Sequence, residues 1–411
     1  MTQPGGYDPQ ALPGEVDRLQ RNSEARTNDR GFSLSARWNE SRTEVDYLYR
    51  DFQLLCDARD LSLVLESFDR LGYAPPAHVS DGPVGLKVIN VGDQDARVMA
   101  EALAEVLGDD VVTLNHVLGA QGFPHMCPAT EPVPHAGPVT DLDGPLGPGR
   151  PRLAVLDTGY SPSIAQDSSY GRLLAVEASS ETDDGVYGSG EEILPYGGHG
   201  TATTARLLSV SGSDLVNVHV SDCLVGGAVD ELTIVEDLER VVTAGVDIVA
   251  IQAGLHSRAG RAPKAFDAFY RHVLRHHPET VVVVAAGNQG SDRPFWPAAF
   301  DWCTAVGALT HGGDARTAWT NYGHWVDVYA SGENVVVPFP NGTYTYLNGF
   351  SAAFTHGHAI WSGTSFAAPV VAGMIARRMI ERDITAPVAR NVVLAEAAIA
   401  ALPTTGPRVL V

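Results

Sequence analysis

From residue 152 onward, short unbroken apolar runs alternate with longer stretches in which apolar positions recur every three or four residues. The runs are RLAVLD, LVNVHV, DIVAIQAG, TVVVVAAG, CTAVGAL and WVDVYAS. A strand buried on both faces reads as a continuous Val/Ile run, because helices cover the sheet above and below. Segments 230–244 and 262–277 have the period of crossover helices. This alternation predicts an α/β fold with a doubly wound, mostly parallel sheet over residues 151–400, and a C-terminal tail at 401–411. In such sheets reactive groups gather where strands end at the carboxyl edge.

The pattern before residue 150 is different. VDYLYRDFQLLC, GLKVINV and DVVTLNHVLG read as strands, and DLSLVLESFDRLG and DARVMAEALAEVLG as amphipathic helices. Their order predicts a smaller N-terminal α+β domain over 46–122, with a split βαβ arrangement. Residues 1–45 are polar and lack sustained periodicity, so a flexible arm is expected there. Residues 123–150 are rich in Pro and Gly and read as a linker.

Charge narrows the partners. The formal net charge is −21, from 28 basic and 49 acidic residues, which argues against nucleic acid or an anionic membrane as partner. No apolar run reaches the roughly 18 residues a transmembrane helix needs. The N-terminal stretch has no apolar core of a secretory signal, so a cytoplasmic location is expected. Cys56, Cys127, Cys223 and Cys303 are scattered without metal-type spacing. Each reads as a small buried residue or a free thiol.

Four residues at strand and helix ends carry candidate chemistry. RLAVLDTG leaves its strand at Asp157, and VVVVAAGN ends in Asn288. Taken alone, the first reads equally as a turn or cap acid and the second as a turn residue. In WSGTSFAAPVVAGMIARRM, Ser365 sits at the start of a helix rich in small residues, with Pro369 expected in its first turn. An N-cap serine is the plain reading. YGGHGTATTA places His199 among glycines and hydroxyls, where an imidazole has little to pack against. Together the four fit one chemistry. A serine hydroxyl needs a base, the imidazole needs a carboxylate to fix its tautomer, and the oxyanion needs amide donors.

These motifs resemble the subtilisin-like serine proteases (subtilases, peptidase family S8). LDTG, GHGTATTA, AAGN and GTSFAAP stand in the family's order of Asp, His, Asn and Ser. WPAAFDWCTAVGAL and TNYGHWVDVYASGENV resemble its connecting segments. The resemblance implies a serine endopeptidase acting through an acyl-enzyme, with Ser365 as nucleophile, His199 as base, Asp157 as its partner and Asn288 in the oxyanion hole. It also implies a peptide or protein substrate lying as an added strand. One edge would run over Leu224, Gly226 and Gly227 up to Val229, and the other over Gln252, Ala253 and Gly254. Ala285, Ala286 and Gly287 would form a wall of the main specificity pocket.

The chain departs from the family at Ala202 and Thr204-Ala205, and at Gln252-Ala253-Gly254, where Ser-Leu-Gly is common. Family members often bind structural calcium, but no acidic loop here carries a ligand pattern, so no cofactor or metal site is expected. Asp183-Asp184 read as surface charges, and His356 and His358 as loop or pocket packing rather than zinc ligands. The resemblance also suggests that residues 46–122 act as an intramolecular inhibitor or folding chaperone of a zymogen; a separate adaptor domain is the alternative. A catalytically silent subtilase fold that binds peptides is the rival to an active enzyme. No GxGxxG opens a helix after the first strand, which disfavours a dehydrogenase.

Overall fold

The computed structural model describes residues 12–24, 32–41, 44–119, 129–137, 150–164, 180–212, 216–224 and 226–410. The N-terminal unit runs α1 (Leu12–Glu24), β1 (Leu34–Trp38), β2 (Val45–Asp57), α2 (Leu61–Leu71), β3 (His78–Asp81), β4 (Leu86–Asn90), α3 (Ala96–Leu107) and β5 (Val112–Gly119). Its antiparallel sheet has the order β5-β2-β4-β3, with β1 added on β2. From β2 to β5 this is a split βαβ arrangement, and β3 is a strand that the hydrophobic pattern did not reveal.

Alternation along the strands sorts two faces. Leu54, Ile89 and Leu114 pack with Val64, Phe68, Met99 and Leu103 of α2 and α3. Their neighbours Leu55, Leu86 and Val117 turn to the opposite face, into the core of the larger unit. Residues 1–45 are not simply a flexible arm. Val16 and Leu19 of α1, Phe32, and Leu34 of β1 join that same core, and β1 pairs with β2 from Leu34↔Arg50 to Trp38↔Val45. The polar composition describes only the solvated side of this segment.

The larger unit contains β6 (Val133–Pro134), β7 (Arg152–Asp157), β8 (Glu192–Ile193), α4 (His199–Ser211), β9 (Asn217–Asp222), β10 (Ala228–Asp230), α5 (Glu231–Thr243), β11 (Ile248–Ile251), α6 (Lys264–His272) and β12 (Val281–Ala285). It continues with β13 (Cys303–Leu309), β14 (Val328–Ser331), β15 (Val335–Pro338), β16 (Gly342–Thr345), β17 (Ser351–Phe354), β18 (His358–Trp361), α7 (Thr364–Arg382) and α8 (Ala386–Ile399). The central sheet has the order β14-β13-β12-β11-β7-β9, and every pairing in it is parallel. Leu156, Ile251, Val282 and Val284 face α5 and α6, whereas Val155, Ala250, Val283 and Val306 face α4, α7 and α8. Burying one such aliphatic side chain fully is worth about 1.5–3 kcal/mol, so the doubly covered sheet makes a stiff platform.

Helices α4 and α7 cross with almost no side chain between them. A Cβ at Gly373 would lie 2.4 Å from Val210 Cγ2 and 2.6 Å from the Leu207 carbonyl oxygen. A larger residue there would push the helices apart, and with them the two residues they carry into the cleft.

The segment expected to be a linker is partly docked. Residues 120–128, which include Cys127, and 138–149 lie outside the described residues, but 129–137 pack against the larger unit. β6 pairs antiparallel with β18, and the Trp361 indole N–H donates to the Thr130 carbonyl at 2.8 Å. The Glu131 carboxyl accepts from the Tyr344 hydroxyl at 3.2 Å and the Leu347 amide at 3.1 Å. Burial raises its pKa against those hydrogen bonds. Cys56, Cys223 and Cys303 are buried free thiols. Among the described residues no helix is long and apolar enough to cross a membrane.

Candidate active site

Asp157 is the last residue of β7 and is wholly buried. Its Oδ1 accepts from the Thr158 amide at 2.8 Å and meets His199 Nδ1 at 2.6 Å. Its Oδ2 accepts from the Thr203 hydroxyl at 2.9 Å. A carboxylate can only accept, so the imidazole proton facing it belongs on Nδ1. That leaves a lone pair on His199 Nε2, which is buried and makes no hydrogen bond. His199 opens α4, after Gly198 in the left-handed conformation.

The imidazole is boxed by aromatic rings. Trp361 lies 5.4 Å away edge-on, Phe366 lies 5.8 Å away, and Tyr196 lies 6.5 Å away. Trp361 and Phe366 flank the turn Ser362-Gly363-Thr364-Ser365, so the start of α7 is brought to the histidine. Ser365 is the second residue of α7 and is fully buried; Gly363 is the N-cap. Pro369 lies inside the helix rather than in its first turn. Because Pro has no N–H, the Ser365 carbonyl loses its donor four residues on.

Asn288 follows β12. Its Oδ1 accepts from both the amide and the hydroxyl of Thr364, at 2.9 and 3.0 Å. The Thr364 hydroxyl in turn accepts from the Gly287 amide at 3.1 Å. With the oxygen committed to Thr364, the carboxamide NH2 is turned to the opposite side. Asn321 braces the same loop, donating to the Ala286 carbonyl at 2.8 Å and accepting from the Gln289 amide at 3.0 Å. The arrangement holds a base, a hydroxyl at a helix start and an oriented amide donor in one buried corner.

Strand β5 lies between the two segments expected to edge the cleft. It pairs antiparallel with β10, with Gly119↔Ala228, Leu118↔Val229 and Val117↔Asp230. On its other side Gly119 and Gly254 exchange backbone hydrogen bonds at 3.1 and 3.0 Å. Ala228 and Val229 lie within the expected first edge, and Asp230 extends the pairing one residue past it. Gly226 and Gly227 form a turn before β10, and the buried Leu224 donates its amide to the Asp157 carbonyl at 3.0 Å. Of Gln252, Ala253 and Gly254, only Gly254 pairs with β5; the first two are buried side chains. Ala285 ends β12, and Ala286 and Gly287 carry the chain on to Asn288.

Ionic contacts hold the N-terminal unit over this cleft. Arg50 pairs with Asp230 at 2.9 Å, Asp57 with both Lys264 and Arg271 at 3.2 Å, and Asp109 with Arg258 at 3.0 Å. Burial alone would raise the Asp57 pKa, but Lys264 and Arg271 hold it below the ordinary value. Glu231, fully buried, accepts from the His116 and Ala265 amides, each at 3.0 Å.

Several of these residues gave no sequence signal. Asp183, expected on the surface, is 5% exposed. Its carboxylate accepts from the Gly198 and Gly185 amides at 2.8 and 2.9 Å and from the Thr158 hydroxyl at 3.2 Å, bracing the turn before His199. Thr203 follows His199 by one helical turn, a spacing that puts both on one face and was available to be read. Among the described residues no three His, Cys, Asp or Glu side chains stand together to hold a metal ion.

Comparison with known proteins follows the same lines. Residues 150–401 match the family model described as the subtilase family. The chain is 27% identical over 236 residues to a thermophilic serine proteinase of Bacillus sp. strain AK1, covering 57% of this chain and 47% of that protein. It thus spans about half the length of that relative. It is 29% identical to subtilisin DY of Bacillus licheniformis over 217 residues, 50% of this chain and 73% of the relative. Fervidolysin of Fervidobacterium pennivorans, a keratinolytic enzyme related to subtilisin, superposes over 91% of this chain and 61% of its own, with a TM-score of 0.55 and 14% identity. That last likeness is one of fold.

Proposed function

Because the chain belongs to the subtilase family, we propose that it is a serine endopeptidase acting through an acyl-enzyme. Ser365 attacks the scissile carbonyl while His199 Nε2 takes its proton. Asp157 holds the imidazole and stabilises the imidazolium that forms. The oxyanion is met by the Asn288 carboxamide and the Ser365 amide at the helix start. His199 then returns the proton to the leaving amine, and water releases the acyl group. The observation that carries this reading is the 2.6 Å contact between Asp157 and His199 Nδ1, with Nε2 unbonded beside the start of α7.

The N-terminal unit is, in this reading, an intramolecular inhibitor, because β5 occupies both cleft edges as a substrate strand would. An adaptor domain has no need to fill them. The test is a fluorophosphonate probe applied to wild type and Ser365→Ala, with the chain length followed by mass spectrometry. Wild type is expected to label at Ser365 and to be cut between β5 and β7, while Ser365→Ala does neither. Absence of labelling in both intact and trimmed wild-type protein removes the enzyme reading and leaves a silent binding fold. Wild-type protein that labels fully while intact removes the inhibitor reading alone.

Thr203 is a positioning residue within this reading. Thr203→Val keeps its shape but strips the Asp157 carboxylate of a donor, an interaction worth about 1.5 kcal/mol or more, or roughly tenfold in kcat. Thr203→Ser, which keeps the hydroxyl on Asp157 Oδ2, is expected to restore kcat. A tenfold loss that Ser does not rescue assigns Thr203 to packing instead.

A further inference from the structure

We propose that Phe295 fills the pocket for the side chain immediately before the scissile bond, so that the protein cleaves after glycine, alanine or serine. This rests on the proteolytic reading above. β5 marks the track of an extended chain, with Gly119 paired to Gly254. In the proposed mechanism a substrate in that track would carry its scissile carbonyl towards Asn288. The side chain just before that bond would then enter between the segments that follow β11, at Gln252–Gly254, and β12, at Ala285–Gly287.

That gap already holds a ring. A Cβ at Gly254 would sit 2.2 Å from Phe295 Cε1 and 2.7 Å from Cζ, and one at Gly287 would sit 2.9 Å from Phe295 Cδ1. A single phenyl group therefore touches both walls, and each wall is a glycine where it does so. The ring is 1% exposed.

The plug is built in rather than resting there. Leu255 and Trp296 exchange backbone hydrogen bonds at 2.8 and 2.9 Å, and the Ala299 amide donates to the Phe295 carbonyl at 2.9 Å. Behind the ring, His256 stacks edge-on at 5.3 Å and bonds through Nδ1 to the Pro294 carbonyl at 3.0 Å. Burial pushes the His256 pKa down to about 4, which keeps that backing neutral. Swinging the ring aside for a large substrate residue would break this packing. A methyl group or a hydrogen needs no such movement, and interiors packed this densely penalise the larger group.

The experiment compares peptide anilides that differ only in the residue before the anilide (Ala, Leu or Phe), using the purified chain as wild type, Phe295→Leu and Phe295→Gly. Fluorophosphonate labelling of Ser365 runs alongside. Wild type is expected to favour Ala over Phe by at least about tenfold in kcat/KM, the scale a hydrophobic pocket achieves for one or more methylenes. In Phe295→Gly the Phe-to-Ala ratio is expected to rise by at least about tenfold, with Phe295→Leu between the two. Wild type that labels yet cleaves after Phe or Leu as fast as after Ala overturns the proposal, whether or not the variants fold. So does a labelled Phe295→Gly with an unchanged ratio. Failure of every form to label, both intact and trimmed between β5 and β7, overturns the proteolytic reading itself, a different result.

Discussion

Asp157→Asn is expected to lower kcat by about 10⁴-fold, the size such a replacement has in the catalytic-triad template. The geometry gives the cause. Oδ1 stands 2.6 Å from His199 Nδ1 and also takes the Thr158 amide at 2.8 Å, while Oδ2 takes Thr203 at 2.9 Å. A carboxamide fills the same space but cannot accept on both sides. Either its NH2 faces Nδ1, which moves the imidazole proton to Nε2 and removes the base, or it faces Thr203, whose hydroxyl must then accept and turn its proton to the Gly200 carbonyl. The edges that β5 occupies, Ala228–Asp230 and Gly254, are untouched, so KM should stay within about threefold. Single-turnover acylation at neutral pH is the measurement. A loss of tenfold or less would mean that Asp157 does not set the tautomer.

Asn288→Ala is expected to cost about 10² to 10³ in kcat, the loss found when one oxyanion donor of this kind is removed. The Asn288 oxygen is held twice by Thr364, so the amide end is aimed without reorganisation during reaction. A group of this kind acts on charge that appears only in the transition state, so kcat falls and KM does not. Thr364→Val, which removes the hydroxyl bridge between Gly287 and Asn288, should give a smaller loss of the same type. A raised KM with kcat intact would instead make Asn288 a ground-state binding group.

The central sheet was legible because its inner strands are buried on both faces and read as near-continuous apolar runs, whereas β9 (NVHVSD) at its edge alternates. RLAVLD and CTAVGAL coincide with β7 and β13 to the residue. Asp157, His199, Asn288 and Ser365 stand out as candidates because each lies at or just beyond an element's end in a small-residue setting. What escaped the sequence depends on pairing across distance. Nothing in Ala228–Asp230 announces that it will pair with Val117–Gly119 of the N-terminal unit. α1 and β1 escaped because a few buried residues sit in an otherwise polar stretch. Asp183 looked like a surface charge because its partners are backbone amides, which no side-chain pattern reveals.

The docking of residues 129–137 on β18 gives the two ends of any cut before it unequal fates. The downstream end stays stitched into the larger unit through β6, Thr130 and Glu131. The upstream end belongs to the N-terminal unit, which among the described residues is then held by side-chain contacts and the β5 ladder. Severing the chain leaves those contacts as they were but removes the tether that keeps the occupant at a high effective concentration. In the inhibitor reading, occupancy of the cleft then follows mass action, and dilution into a larger volume becomes the step that opens it.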